Sequence, residues 1–296
     1  PTKTAPSDPT PEPAVASDEG LDQPQRWTST NLVGVSTAWL ASTGFNQRAP
    51  ELHIAGTRET HPGLFGLLAR CEHLSDASEV FVHYLDIAFG LRAPAAHEAA
   101  ALDPAERRRW RSSWRKLLQA WGMDNASPAG AVLKGWVESR FGLVPTFHKA
   151  PLAHFPSPAW VAYLEEKTSS RHHSNNIHQQ LDLLYEFCQW ALARFPLPAP
   201  QMQGPHVRLW RGSNRVEEQL LQGTLRERRC RVRLNNIVSF SLSPEEASCF
   251  GDWVFELLVP RSKLLVFPGL LPGQVLQGEQ EVIALGGDYD VVARYD

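Results

Sequence analysis

Cysteine is scarce in this sequence, with four among 296 residues. Cys71, Cys188, Cys230 and Cys249 stand too far apart to match a metal-ligand spacing or the disulfide framework of a small secreted domain. They are expected to be free thiols in a cytoplasmic protein. No run of about eighteen apolar residues is present to cross a bilayer, and the N-terminal stretch lacks the charged-then-apolar order of a secretory signal. The phosphate-cradling G-x-G-x-x-G of a Rossmann domain is missing as well, which argues against hydride transfer. The segment from His53 to His61, "HIAGTRETH", lacks the H-E-x-x-H of a zincin. His172, His173 and His178 in "RHHSNNIH" have no carboxylate or cysteine at ligand spacing, so no metal is expected. A formal net charge of −3 supplies no general attraction to nucleic acid. The local cluster Arg107, Arg108, Arg109, Arg111 and Arg115 reads as the solvated face of a helix.

What is present points to a soluble α+β protein, since 43% hydrophobic content suffices for one large core or two modest ones. Residues 1–26 are rich in Pro, Ser, Thr and acid with almost no bulky apolar side chain, and are expected to be a disordered lead. From 27 to 200 the pattern is helical. "HPGLFGLLARCEHL" repeats Leu64, Leu67, Leu68 and Cys71, and "SDASEVFVHYLDIAFGL" opens on a capping serine or aspartate. "IHQQLDLLYEFCQWALARF" repeats Ile177, Leu181, Leu184, Phe187 and Leu192. The Trp-rich segment from Trp110 to Trp136 adds further helices, and "FPLPAP" marks a boundary.

Residues 201–296 change to short β-type runs, "HVRLW", "RRCRVRL", "NIVSFSL", "WVFELLVP", "KLLVFP", "EVIALGG" and "DVVARY", which predict a mixed sheet. Two short helices are expected to interrupt it. One lies in "SNRVEEQLLQG", and one in "SPEEASCFG", where Pro244 suits the first turn and Gly251 the stop.

Within this half, "GEQEVIAL" places Glu279 and Glu281 one residue apart at the head of an apolar run. If Glu281 opens a strand, the two-residue period points both carboxylates to one side. Such a pair is either a solvated strand end or a site for something positive. Arg211 precedes Gly212 at the end of "VRLW", where a fixed cation meets a residue that permits close approach of a ligand. Ser239 and Ser241 in "VSFSLS" alternate with Phe240, so both hydroxyls share a face. Taken singly, each is an ordinary surface feature. Arg229, Arg231 and Arg233 alternate nearby and suit a contact with NAD phosphates, an acidic partner surface, or the charged protection of a solvated edge strand.

The order of these elements, "LWRG", "IVSFSLSPEEA" and "EQE", resembles the arginine, serine, glutamate signature of mono-ADP-ribosyltransferases. "NLVGVSTAWLASTGFN", "ELHIAGTRETHPGLF", "FGLVPTFHKAPL" and "FPGLLPG" extend the likeness to the dinitrogenase reductase ADP-ribosyltransferase family, which regulates nitrogenase, from about Thr28 to the C-terminus. One departure is Phe240, where many toxin relatives carry threonine. The resemblance implies NAD as cosubstrate, held by Arg211, Gly212, Ser239, Ser241 and Glu281, with the last stabilising positive charge at the ribose and Ser239 orienting it. It implies that Glu279 pairs with a target guanidinium, that the protein substrate is dinitrogenase reductase, reversibly inactivated, and that a PII signalling protein is a regulatory partner. In that division of labour the helical half recognises partners and the sheet does the chemistry. Two further readings stay open: the same core aimed at another protein or at water, and a noncatalytic regulatory module.

Overall fold

The computed structural model describes residues 30–91, 103–196, 200–273, 276 and 280–295. The lead at 1–26 and Glu279 lie outside the described residues. The first half is built from helices, chiefly Leu74–Ala88, Pro104–Arg111, Trp114–Met123, Pro128–Phe141, Pro158–Ser169 and Asn175–Arg194. Serine starts several of them. Ser127, Ser157 and Ser174 accept from the backbone N–H three residues on, and Ser127 and Ser157 are followed by a proline whose missing N–H costs nothing in a first turn. The helix over 74–88 departs from expectation: its N-cap is His73, with no side-chain cap bond, and neither Ser75 nor Asp76 takes that role. "HPGLFGLLARCEHL" yields only the short helix Pro62–Leu68, with Cys71 beyond its end.

A two-residue ribbon, β1 (Phe147–His148) and β2 (Ala150–Pro151), interrupts the helical half. The sheet that follows contains β3 (His206–Ser213), β4 (Leu220–Gly223), β5 (Arg229–Ser241), β6 (Trp253–Pro260), β7 (Leu264–Val266) and β8 (Glu281–Tyr295). Within the α+β class one detail is corrected: the sheet expected to be mixed pairs antiparallel throughout the described strands. The helix anticipated in "SNRVEEQLLQG" spans only Val216–Gln219, because Leu220–Gly223 pairs with β5 instead. The helix in "SPEEASCFG" forms at Pro244–Ser248, capped by Ser243.

β3 pairs along its whole length with β6, β6 with the end of β8, and β8 with β5 from Ser241↔Glu281 to Arg229↔Val292. β5 returns to β3 through the pair Trp210↔Ser241, so four strands close a ring. Two signals that look like turns in the sequence lie inside continuous strands. Asn235–Asn236 joins "RRCRVRL" to "NIVSFSL" in β5, and Gly286–Gly287 joins "EVIALGG" to "DVVARY" in β8.

The ladder shifts register at this point, between Leu234 and Ile237. Close backbone approach explains the glycines: a Cβ at Gly286 would sit 1.6 Å from the Asn235 carbonyl oxygen, and Gly287, at φ +112°, lies against Ala41. The helical half holds the bulge. Asn235 accepts from Thr146 N (3.0 Å) and donates to Phe147 O (2.8 Å), while Asn236 Nδ2 donates to Lys134 O and Leu143 O, both at 2.9 Å. One hydrophobic core runs through both halves, from Phe81, Trp114 and Phe187 to Phe255, Ile283 and Leu285.

Candidate active site

The bulge leaves the ends of β3 and β5 facing the helical half across a cleft of about 650 Å³. Arg211, Gly212, Ser239 and Arg233 line it from the sheet, and Trp121 and Phe147 from the helical half. Arg215 stacks on the Phe147 ring at 4.1 Å, tying the two walls together.

Arg211 is half-buried, and its Nη1 donates to the Ser239 carbonyl (2.7 Å). Burial pulls its pKa down to about 10, which leaves it a cation at neutral pH. Its Nε is buried without a hydrogen-bond partner, and no carboxylate pairs with it among the described residues. A cation whose buried donor has no partner is costly unless an anion completes it. The diphosphate of a dinucleotide has the required charge and acceptor oxygens.

The Ser239 hydroxyl accepts from Trp121 Nε1 (2.9 Å). Ser241, two residues along the same face, is more buried, and its hydroxyl is engaged locally: it donates to Glu246 Oε2 (3.2 Å) and accepts from Ser243 N (3.0 Å). Its bonds fasten the turn into the helix Pro244–Ser248.

Gly212 belongs to the cleft wall, yet its lack of a side chain is required by the protein itself. A Cβ there would fall 2.1 Å from the Ala247 carbonyl oxygen. The close approach inferred for a ligand is thus made by the chain's own turn after β5.

Glu281 is the first residue of β8 and is half-buried. The register sets it opposite Ser241 and diagonal to Ser239, on the same face. Its carboxylate makes no ion pair or hydrogen bond with the described residues. It is not among the residues lining the cleft wall but stands on the strand beside it.

Arg231 and Arg233 do not protect an edge strand. β5 is not an edge at this point, and the two guanidinium groups pair across the ladder with Asp290 (2.8 Å) and Asp288 (2.6 and 2.7 Å). The acids are supplied by "GGDYD", some sixty residues downstream. Trp121 and Phe147 were beyond the reach of local pattern, because their place in the site depends on how the helical half docks.

A larger groove of about 800 Å³ crosses another part of the sheet; Arg229 and Arg231 border it, and none of Arg211, Gly212, Ser239, Ser241 and Glu281 does. Among the described residues, no group of three His, Cys, Asp or Glu could hold a metal ion, and no helix is long and apolar enough to span a membrane.

The molecule is therefore an α+β protein whose antiparallel sheet and helical half enclose a cleft lined by Arg211, Arg215, Arg233 and Ser239. The chain belongs to the dinitrogenase reductase ADP-ribosyltransferase family, whose model matches residues 30–293. It is 48% identical over 278 residues to the NAD(+)–dinitrogen-reductase ADP-D-ribosyltransferase of Rhodospirillum rubrum, an alignment covering 94% of this chain and 99% of that relative. No solved structure matches it.

Proposed function

We propose that this chain transfers ADP-ribose from NAD to an arginine of dinitrogenase reductase and so switches nitrogen fixation off reversibly. The observation that carries the reading is the unspent bonding capacity around one cleft: the orphan Nε of Arg211, the hydroxyl hydrogen of Ser239 and the carboxylate of Glu281. Family membership and the relative's name supply the reaction.

In this reading Arg211 binds the NAD diphosphate, and Ser239 donates toward the ribose side of the ligand or its carboxylate partner. Glu281 stabilises the positive charge that develops at the anomeric carbon as the bond to nicotinamide breaks. Nicotinamide leaves as a neutral molecule and needs no acid. The anomeric carbon then forms a bond to a guanidinium nitrogen, which releases a proton. Glu279 is assigned to pair with that guanidinium before attack. Gly212 and Ser241 support the ligand wall, the first by allowing the turn to close and the second by holding it.

The sheet from about 201 onward is assigned the chemistry and the helical half partner selectivity, with Trp121 and Phe147 lending the latter a share in the cleft. Contact with a PII signalling protein and a cytoplasmic location complete the reading on the strength of the family resemblance and of cysteines that are free thiols.

The test uses labelled NAD, purified dinitrogenase reductase and mass spectrometry of the modified peptide. Nicotinamide release and protein labelling are followed side by side for wild type, Glu279→Gln and Glu281→Gln. The reading expects an arginine adduct, loss of both activities in Glu281→Gln, and loss of labelling with surviving slow NAD hydrolysis in Glu279→Gln. Labelling at another residue type removes the arginine assignment. Absence of any NAD turnover by the wild type would make the protein a binding module.

A further inference from the structure

We propose that Trp121 is a positioning residue for transfer, holding the Ser239 hydroxyl from the helical half so that the serine's own hydrogen is directed at the ligand. The inference rests on the reading of Ser239 as a site residue given above. Trp121 occupies the last turn of the helix Trp114–Met123, is 3% exposed and lines the cleft. Its Nε1 donates to Ser239 Oγ at 2.9 Å across 118 residues of sequence.

An indole nitrogen donates and cannot accept. It therefore occupies a lone pair of Oγ and leaves the hydroxyl hydrogen to find an acceptor elsewhere. Among the described residues Ser239 Oγ donates no hydrogen bond, which distinguishes it from Ser241, whose donor and acceptor capacities are both taken by its own turn. The same serine is gripped on its other side, where Arg211 Nη1 bonds its carbonyl oxygen. Carbonyl and hydroxyl oxygen are thus both held, and the O–H hydrogen is left for the ligand or for the carboxylate that meets it.

Simple satisfaction of a buried N–H does not account for the contact. Trp136 gives its indole N–H to Asp182 Oδ1 (2.7 Å), a bond within the helical half, and Trp114 keeps its Nε1 buried with no partner. The fold accommodates an orphan indole donor seven residues before Trp121. That the third buried indole reaches into the sheet and meets the serine of the signature is a feature of the site. It also gives the helical half a hand in the chemistry, separate from any part in choosing a protein partner.

The experiment is a double-mutant cycle in the full-length chain with Trp121→Phe, Ser239→Ala and the pair, measuring kcat and KM for NAD in transfer to dinitrogenase reductase. Trp121→Phe should lower kcat about three- to tenfold, the range for one neutral hydrogen bond, with KM for NAD changed by less than about twofold. Ser239→Ala should cost at least as much, and the double variant no more than Ser239→Ala alone. Multiplicative losses in the double variant, or wild-type kcat in Trp121→Phe, overturn the proposal. Full activity in Ser239→Ala would instead remove the serine from the site, a failure of the underlying reading that the cycle separates from the first. If phenylalanine unfolds the protein, β-(3-benzothienyl)alanine at 121 keeps the bicyclic shape and replaces N–H by sulfur. The same fall in kcat is expected from it, and undiminished kcat refutes the role.

Discussion

The ladder between β5 and β8 has two ends that use their polar groups in opposite ways. Beyond the bulge, at Arg231, Arg233, Asp288 and Asp290, the cations meet carboxylates on the facing strand. Before it, at Ser239 and Glu281 with Arg211 alongside, a buried donor and a carboxylate have no partner among the described residues. Both ends lie on the same pair of strands, with Arg211 reaching the site end from the neighbouring β3. Pairing consumes bonding capacity in structure, and capacity left over in a half-buried cleft is what a ligand can use. The arginines therefore cannot be ranked by position or count; what separates Arg211 from Arg233 is whether an acid was placed opposite.

The most disruptive way to test this contrast is to damage the junction of the two ends. Gly286→Ala should cost about 3 kcal/mol or more, because the new methyl group meets backbone rather than a mobile side chain. Denaturant unfolding reads the effect, and a wild-type midpoint would show that the bulge does not hold the ladder. Glu281→Gln acts at the site end alone. It should reduce transfer at least about a hundredfold while leaving the unfolding midpoint and most NAD affinity in place. Near-normal turnover by the folded variant would remove Glu281 from the chemistry.

A third test concerns a buried charge packed against the bend in β8. Lys263 is completely buried, donates to Gly286 O (3.1 Å) and lies between the rings of Phe45 and Tyr289. Burial lowers its pKa to about 7, and the same cause brings Lys134 to about 7. Below pH 7 both lysines are charged whether the chain is folded or not, and the folded state bears the full burial penalty. Between about pH 7 and the ordinary lysine pKa of about 10.4, the unfolded chain holds protons that the folded chain has released, so stability rises with pH. Lys263→Met should flatten the rise between pH 7 and 9 by about 1–2 kcal/mol in denaturant unfolding. An unchanged slope would assign the pH dependence to other groups.

The smallest effect is expected at the paired end. Asp290 and Arg231 are both substantially exposed, so Asp290→Asn should cost no more than about 0.5–1 kcal/mol and leave NAD affinity unaltered. A loss of NAD affinity there would blur the distinction between the two ends.

Much of this was legible in the sequence where the deciding interactions are local. Ser243–Pro244 announced a short helix, and the β-type runs "HVRLW" and "WVFELLVP" announced β3 and β6. Glu281 was expected to open a strand, and it does. Local signs misled where a distant partner decided the outcome. Asn235–Asn236 and Gly286–Gly287 carry turn composition, but they meet at the register shift of the ladder, Gly286 against Asn235 and Gly287 opposite Leu234, and the helical half supplies the hydrogen bonds a turn would have made internally. Leu220–Gly223 continues a helical pattern yet is drawn into the sheet by β5. Arg211 and Ser239 were identifiable as candidates by their order in the chain. Their contact with each other, and Trp121 above them, required the fold.

The bulge also bears on how the site comes into being. Its asparagines are tied to residues 88 to 102 positions earlier, at Phe147 O, Leu143 O and Lys134 O. A strand pair can slip by one residue, and a slip here would turn Ser239 toward the opposite face. The bonds that forbid it are non-local, so their loop-closure entropy must be met before the correct alignment is rewarded. During synthesis the helical segment emerges first, with the carbonyls that later receive Asn236 already in the chain ahead of β5. Alignment of β5 with β8 is accordingly tied to the helical half, and a C-terminal fragment made without those helices would lack the asparagine bonds to Phe147, Leu143 and Lys134.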